Sequence, residues 1–399
     1  MSFSRPLCRT ERVYLVYDDC CPGFANQFFL DGSGVLDAPK WRKAVEIASA
    51  ANPGSRLVLK GTLACAHWVD SGITPRVREV DGSGWDGLSP ENGPSFLTES
   101  LSPWEGPTCE VVLIHGDPLR VVFRSHHAVM DGRGNLFWME DIIRVLNGLD
   151  PQGSNSKITE LGMCKSFQKE GRTPPPHEFL APTGMPQGNE PGVVWRRVRF
   201  PGRHKDQLGK LAVLLAQAAW QHGEGKVRFG IPVDLRARQE GLRSTGNLTN
   251  LIYLAMTPQT SYQDISQDIA QQLADRKDGM LWWGDEVTRL IPLWLIRRGI
   301  RNEIATKNRT GRYRNSGVLS NMGRVPVEYL QGAGFQAQYI WGIPPGNESI
   351  PIFVGLTHTR EDQTLIVSMP KTLGNGGRLD ALIEHLRQGF MAYAAEEKQ

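Results

Sequence analysis

The stretch Arg124-Ser125-His126-His127-Ala128-Val129-Met130-Asp131-Gly132 constrains this chain more than any other. Before it, Leu119-Arg120-Val121-Val122-Phe123 alternates and is rich in β-formers, which predicts a strand. After it, Asn135 to Leu146 carries apolar residues at helical spacing and stops at Asn147-Gly148. Two histidines therefore stand at a strand end, with an Asp-Gly turn leading into a helix. An imidazole there titrates near neutrality and can take a proton from an attacking amine or hydroxyl. Asp131 is placed to fix that geometry, and Gly132 is expected to let the backbone turn back sharply. A metal site fits less well, because no HExxH follows and no acidic or cysteine partner stands at ligand spacing. A histidine pair at a strand end, taken alone, is also compatible with plain structural packing.

The chain has 399 residues, which suggests two or three domains of ~100–200 residues each. Its hydrophobic content of 40% is enough for a sizeable core, and a net charge of +3 gives no argument for nucleic acid. Eleven tryptophans are spread along the chain, some expected to line a groove. Cys8, Cys20, Cys21, Cys65, Cys109 and Cys164 form no CxxC pair, so a reduced, cytoplasmic setting is expected. The N-terminus lacks the apolar core of a signal peptide. No window approaches ~18 uninterrupted apolar residues, so no membrane span is expected.

In chain order, Arg12 to Tyr17 and Phe24 to Phe29 read as β-rich. Asp37-Ala38-Pro39 introduces a helix over Lys40 to Ala51, with Trp41, Ala44, Val45, Ile47 and Ala48 inward. Arg56 to Lys60, Ala64 to Val69 and Cys109 to His115 read as strands, the last forming a hairpin with the strand before the histidines. Gly82 to Gly87 fits GxGxxG, but Leu88-Ser89-Pro90 follows where a helix would be needed, so it reads as a turn. From 148 to 192 the chain is rich in Pro, Gly, Ser, Asn and Gln, as in a crossing loop. Beyond it, strands are expected near Val194–Phe200, Val227–Asp234, Gln336–Trp341, Ile352–Leu356 and Leu365–Met369. Helices are expected from about His204 to Gln221, Ser261 to Asp275 and Arg378 to Ala394.

The string His-His-x-x-x-Asp-Gly resembles the signature of the condensation-domain superfamily of acyltransferases, which includes chloramphenicol acetyltransferase. Two further segments share in the resemblance. Val227 to Arg236 is similar to the family's strand ending in arginine, with Gly246-Asn247 like the element after it. Gly317-Val318-Leu319-Ser320-Asn321-Met322-Gly323-Arg324 resembles the family's Ser-Asn-x-Gly segment. No Asp-Phe-Gly-Trp-Gly occurs, which disfavours the plant branch. The resemblance implies an α/β fold of two chloramphenicol-acetyltransferase-like halves in a V around a tunnel. On this chain they would be residues 1–170 and 193–399, joined by a 171–192 crossing loop.

The resemblance also implies roles. His127 would face the tunnel as general base or orienter, with His126 as support and Asp131 and Gly132 completing the motif. Arg236 is the first candidate partner for Asp131, and Arg324 is the second, or else a partner for an anionic donor. Ser320, Asn321 and Asn247 would bind substrate or the oxyanion, since a Ser-Asn-Gly turn can present hydroxyl, amide and backbone donors. No metal or bound cofactor is implied; the donor would be a phosphopantetheine thioester on a carrier protein, or a coenzyme A thioester. The basic run Arg297, Arg298 and Arg301, continued by Lys307, Arg309, Arg312 and Arg314, is a candidate for donor phosphates or an acidic carrier face. A solvated helix face explains it equally well. Three functions stay open: a stand-alone, monomeric condensation enzyme forming an amide or ester in natural-product biosynthesis, a coenzyme A-dependent N- or O-acyltransferase, and an idle homologue that binds a carrier or partner.

Overall fold

The computed structural model describes residues 3–201, 205–282, 284–359 and 362–396; His204, the expected start of a helix, lies outside them. The first half runs β1 (Ser4–Pro6), α1 (Arg9–Cys20), β2 (Ala25–Gly34), α2 (Ala38–Ala51), β3 (Leu57–Lys60), β4 (His67–Asp70), β5 (Arg76–Asp81), β6 (Cys109–His115), β7 (Leu119–His126) and α3 (Gly132–Leu146). The long connection holds α4 (Glu160–Phe167) and β8 (Gly171–Arg172). Then come β9 (Val193–Pro201), α5 (Gln207–Gln221), β10 (Val227–Asp234), β11 (Thr249–Met256), α6 (Tyr262–Ala274), β12 (Leu281–Trp282) and α7 (Leu293–Thr310). The chain closes with β13 (Gly317–Arg324), β14 (Gln331–Gly332), β15 (Phe335–Ile343), β16 (Phe353–His358), β17 (Asp362–Pro370), α8 (Lys371–Gly374) and α9 (Arg378–Glu396).

Two six-stranded sheets dominate, ordered β14-β15-β2-β7-β6-β5 and β11-β10-β13-β16-β17-β9. β6 and β7 form the expected antiparallel hairpin, with Cys109 opposite Ser125. Asp37 caps α2 by accepting the Lys40 N–H at 3.1 Å. Trp41, Trp138 and Phe123 fill the core where α2 and α3 cover the first sheet. Leu211, Leu215, Leu386 and Phe390 do the same where α5 and α9 cover the second.

The division at 193 does not separate the sheets. β14 and β15 leave the second half and complete the first sheet, β15 pairing with β2 in antiparallel register. Trp341 of β15 stacks on Phe29 of β2 at 4.0 Å between ring centroids.

Several sequence expectations change. Residues 12 to 17 are helical, not extended, because α1 spans them. Their β-branched and aromatic residues favour strands, yet the buried positions Glu11, Arg12, Leu15 and Val16 recur at helical spacing. The Glu11 carboxylate also accepts the Cys8 N–H at 3.1 Å and so closes the helix start. Ile47, expected inward, is exposed. Trp41, Trp68, Trp138 and Trp341 are buried in cores, and among the described residues no tryptophan lines the cavity below, so none forms a groove there. The Ser-Asn-x-Gly segment stays in strand throughout β13, with a register shift between Asn321 and Arg324 where a turn was expected.

Candidate active site

β7 delivers the histidine pair to the space between the sheets, and α3 starts at once on the far side of a short turn. The turn is tied by Val129 N–H donating to His126 O at 2.9 Å and by His127 N–H donating to Phe24 O at 3.1 Å. The two histidines then part. His126 is buried; its Nδ1 accepts the Ala128 N–H at 3.0 Å, and its Nε2 stands 3.5 Å from Asp18 Oδ2. Burial works against the Asp18 charge, but His126, the Phe24 N–H and Ser100 hold its carboxyl below the usual range.

His127 turns into a cavity of about 570 Å³ that both halves line. Its ring stacks on Tyr14 of α1, with centroids 4.1 Å apart and planes 13° apart. Nδ1 lies 3.1 Å from Met130 O and 3.0 Å from Asn26 Nδ2. The Asn26 amide also donates to Met130 O at 2.8 Å, which fixes its orientation, since a flipped oxygen would face another oxygen there. Each neutral tautomer thus has a partner: Met130 O for Nδ1–H, or Asn26 for a bare Nδ1. Nε2 has no partner among the described residues and is left for the cavity. Burial pushes the imidazole down to about 4, despite opposing pulls from Met130 O and Asp131, so the ring is neutral at physiological pH.

Asp131 caps α3 and locks the loop. Its carboxylate accepts from Arg236 twice, at 3.1 and 3.0 Å, from Gly134 N–H at 2.7 Å, Leu248 N–H at 2.8 Å and Thr249 Oγ1 at 2.9 Å. Burial opposes its charge, but Arg236 and these donors hold the carboxyl below its ordinary range. Of the two candidate arginines, Arg236 is therefore the partner. Arg324 is exposed and pairs with Glu328 at 3.0 Å.

Gly132 lines the cavity but does not turn the backbone sharply; it is the first residue of α3, without the left-handed φ that would require glycine. The glycine demanded by close approach is Gly134, where a Cβ would fall 2.3 Å from Thr245 O. Asn247, Ser320 and Asn321 all line the cavity. Asn247 donates to His127 O at 3.0 Å. The Ser320 hydroxyl has no hydrogen-bond partner among the described residues, while Asn321 Oδ1 accepts from Gly323 N–H at 2.9 Å and lies 3.1 Å from His358 Nε2. Arg297, Arg298 and Arg301 sit on α7 and do not line the cavity; Arg297 pairs with Asp19, and Arg298 and Arg301 are exposed. Farther along the same run, Lys307 is buried against Glu303 at 2.6 Å and Ser349 O at 2.8 Å.

Sequence reasoning missed Tyr14, Asn26, Glu11 and Gly134. Glu11 accepts from Arg5 at 2.6 Å and from Trp68 Nε1 at 3.0 Å, and Arg5 donates to Val129 O at 3.2 Å, so α1 buttresses the histidine turn. The Cys8-x-x-Glu11 spacing was the available signal; Asn26 carries none. Thr10, on the cavity wall, is hydrogen-bonded to Glu160, whose carboxyl burial pushes up to about 7.

Two sheets around a shared cavity, with His127 turned into it just past the end of β7, define a two-subdomain, chloramphenicol-acetyltransferase-like architecture. More narrowly, the chain has the fold of a condensation domain. It is similar to the condensation domain of the Monacolin K polyketide synthase MokA, at 13% identity and a TM-score of 0.65, over 98% of this chain and 97% of that one. It is also similar to the starter condensation domain of rhizomide synthetase RzmA, solved with C8-CoA and Leu-SNAC, at 12% identity and a TM-score of 0.66, over 98% and 95%. The epimerization domain from the third module of tyrocidine synthetase B aligns at 12% identity and a TM-score of 0.56, over 99% and 98%. No family model and no curated protein matches the chain by sequence. Among the described residues, no helix is long and apolar enough to cross a membrane.

Proposed function

We propose that the protein transfers an acyl group from a phosphopantetheine-type thioester to an amine or hydroxyl, with His127 as the proton acceptor. One observation carries this reading: a neutral imidazole, held by stacking, presents an unpartnered Nε2 to a cavity large enough for two substrates to meet. The nucleophile's nitrogen or oxygen bonds to the thioester carbonyl carbon while Nε2 accepts its proton. The imidazolium so formed donates Nδ1–H to Met130 O, 3.1 Å away. Collapse breaks the carbon–sulfur bond, and the departing thiolate takes the proton back from Nε2. Ser320 and the Asn321 amide stand in the same cavity as donors for the oxyanion.

The complex of the RzmA domain with C8-CoA and Leu-SNAC supports a thioester donor by analogy of fold. The donor is carried on an acyl carrier protein or on coenzyme A, and the two are separated by assay. Mass spectrometry of products formed from acyl-carrier and acyl-coenzyme A donors, with a panel of amines and alcohols, is the direct test. Wild-type product that disappears in a folded His127→Ala protein is expected. Equal product from that variant would remove His127 from the chemistry, and no product from any donor would favour a binding role.

A further inference from the structure

α1 turns one stripe toward the cavity: Thr10, Tyr14 and Tyr17 stand at helical spacing, and all three line it. Tyr14 is the residue whose ring stacks on His127. Thr10 comes one helical turn earlier, so its hydroxyl lies on the same wall as the ring that holds the proton acceptor.

Behind that wall is a carboxyl that the acyl-transfer steps leave unused. The Thr10 hydroxyl donates to Glu160, the first residue of α4, which is 150 positions away in the chain. Glu160 is buried, and among the described residues no lysine or arginine is paired with it. Arg9, whose charge reaches it, is committed to Asp285 at 2.9 Å. Glu11 also faces it and is committed to Arg5 at 2.6 Å. Burial therefore dominates and pushes the Glu160 carboxyl up to about 7, against Thr10 and Arg9 and with Asp285 and Glu11 adding to the push. The other groups within its field are the Cys8 and Cys164 thiols, the Tyr14 hydroxyl and the Arg172 guanidinium. Burial raises the thiols and the hydroxyl, which keeps all three protonated near neutral pH.

The two states of Glu160 use the Thr10 hydroxyl in opposite ways. Ionised, the carboxylate takes the Thr10 hydrogen, and the oxygen offers the cavity only its lone pairs. Protonated, the acid donates its own hydrogen to that oxygen, and the Thr10 O–H is released to donate into the cavity. An amine that gives one proton to Nε2 keeps a second N–H, which needs an acceptor. An alcohol gives up its only such hydrogen and keeps lone pairs, which need a donor.

We propose that Glu160 is a positioning residue that sets the choice of nucleophile: by losing or gaining one proton it turns Thr10 between a seat for amines and a seat for alcohols. The proposal rests on the acyltransferase reading.

The test uses the full chain as wild type, Glu160→Gln, Thr10→Val and Thr10→Ser. Aniline and benzyl alcohol compete for octanoyl-pantetheine from about pH 5.5 to 8.5, a range in which neither nucleophile changes charge. Donor and His127 are common to both products, so the ratio of the two kcat/KM values isolates the seat. In wild type the amine-to-alcohol ratio should rise about tenfold as pH passes the Glu160 titration. Glu160→Gln, with an N–H in place of the acid's O–H, should hold the low-pH ratio throughout. Thr10→Val should lose the step and Thr10→Ser should keep it, a pattern that a merely structural contact would not give. Urea unfolding reads the same carboxyl without any transfer. A carboxyl raised from 4.5 to about 7 on folding gives stability that is complete below the unfolded value and lost as pH rises through the folded one. Over that span the unfolding constant of wild type should rise about 300-fold more than that of Glu160→Gln. Parallel stability curves for the two proteins, or a flat ratio in an active wild type, overturn the switch and leave the acyltransferase reading standing. No transfer to either nucleophile removes that reading, and the switch with it.

Discussion

At His127 the surroundings of the ring decide which proton chemistry is open to it. Tyr14 covers one face at 4.1 Å, and the enclosure pulls the imidazole from 6.5 to about 4. The base form therefore persists well into acid, and kcat/KM should fall on the acid side near pH 4 rather than near 6.5. Tyr14→Ala lets water reach the ring, and hydration favours the charged form, so the acid limb should move upward. A pH profile of both proteins checks this; an unmoved limb would mean that Tyr14 does not set the titration. Asp131 is the second residue whose environment does the arguing. It is buried with Arg236, so Asp131→Asn leaves the buried guanidinium with only the partly exposed Asp234, 2.7 Å away, as counter-charge, at a cost of about 3 kcal/mol, the low end of what breaking a buried pair costs. Urea unfolding should show that loss, with activity falling as the loop loosens. The sign with pH follows from a carboxyl depressed in the folded state. The contribution is complete above its unfolded value of about 3.9 and is lost as pH falls through the lower folded one. Wild type should lose this part of its stability in acid, while Asp131→Asn should not.

The elements differ in how much of them could be read from the chain. β7, its turn and α3 were legible because each is a local pattern: alternation, a polar turn, then helical spacing. Arg236 was legible because it stands at a strand end in a motif, although it lies 105 residues from Asp131. α1 was not, since its valines and tyrosines favour strands and only burial against the rest of the fold reverses that choice. Asn26 could not be found either, because what makes it matter is a side chain 101 residues away. The glycines show the same limit. Gly132 stands in the motif, yet a Cβ there meets the flexible Met322 side chain at 3.3 Å and the Phe28 ring at 3.5 Å, an ordinary contact. Gly134 lies outside the string, yet its Cβ would strike the backbone of Thr245. Gly134→Ala should therefore push the 244–248 loop off α3, costing about 1–3 kcal/mol and loosening the contacts of Asp131. Gly132→Ala should unfold close to wild type. Equal denaturant midpoints for the two variants would show that the loop yields without cost.

For the whole molecule, the sheets are the natural units, but the chain is not divided along them. β15 belongs to the second half in sequence and to the first sheet in space, where it covers β2 along its length. The Asp31–Arg197 pair and the Asp131–Arg236 pair also cross between the halves, and both are buried. Separating the halves would thus expose the edge of β2, unstack Trp341 from Phe29 and strand charges in apolar surroundings. A protease site placed at Thr173–Pro176, in the exposed part of the connection, tests how firmly the halves are held. The nicked chain should elute as a single particle in size exclusion and unfold in one transition near the uncut temperature. Fragments that part under native conditions would show that the connection, not the shared sheet, holds the cavity together. The cavity walls come from both halves, so a nicked chain that stays whole should also keep its substrate binding.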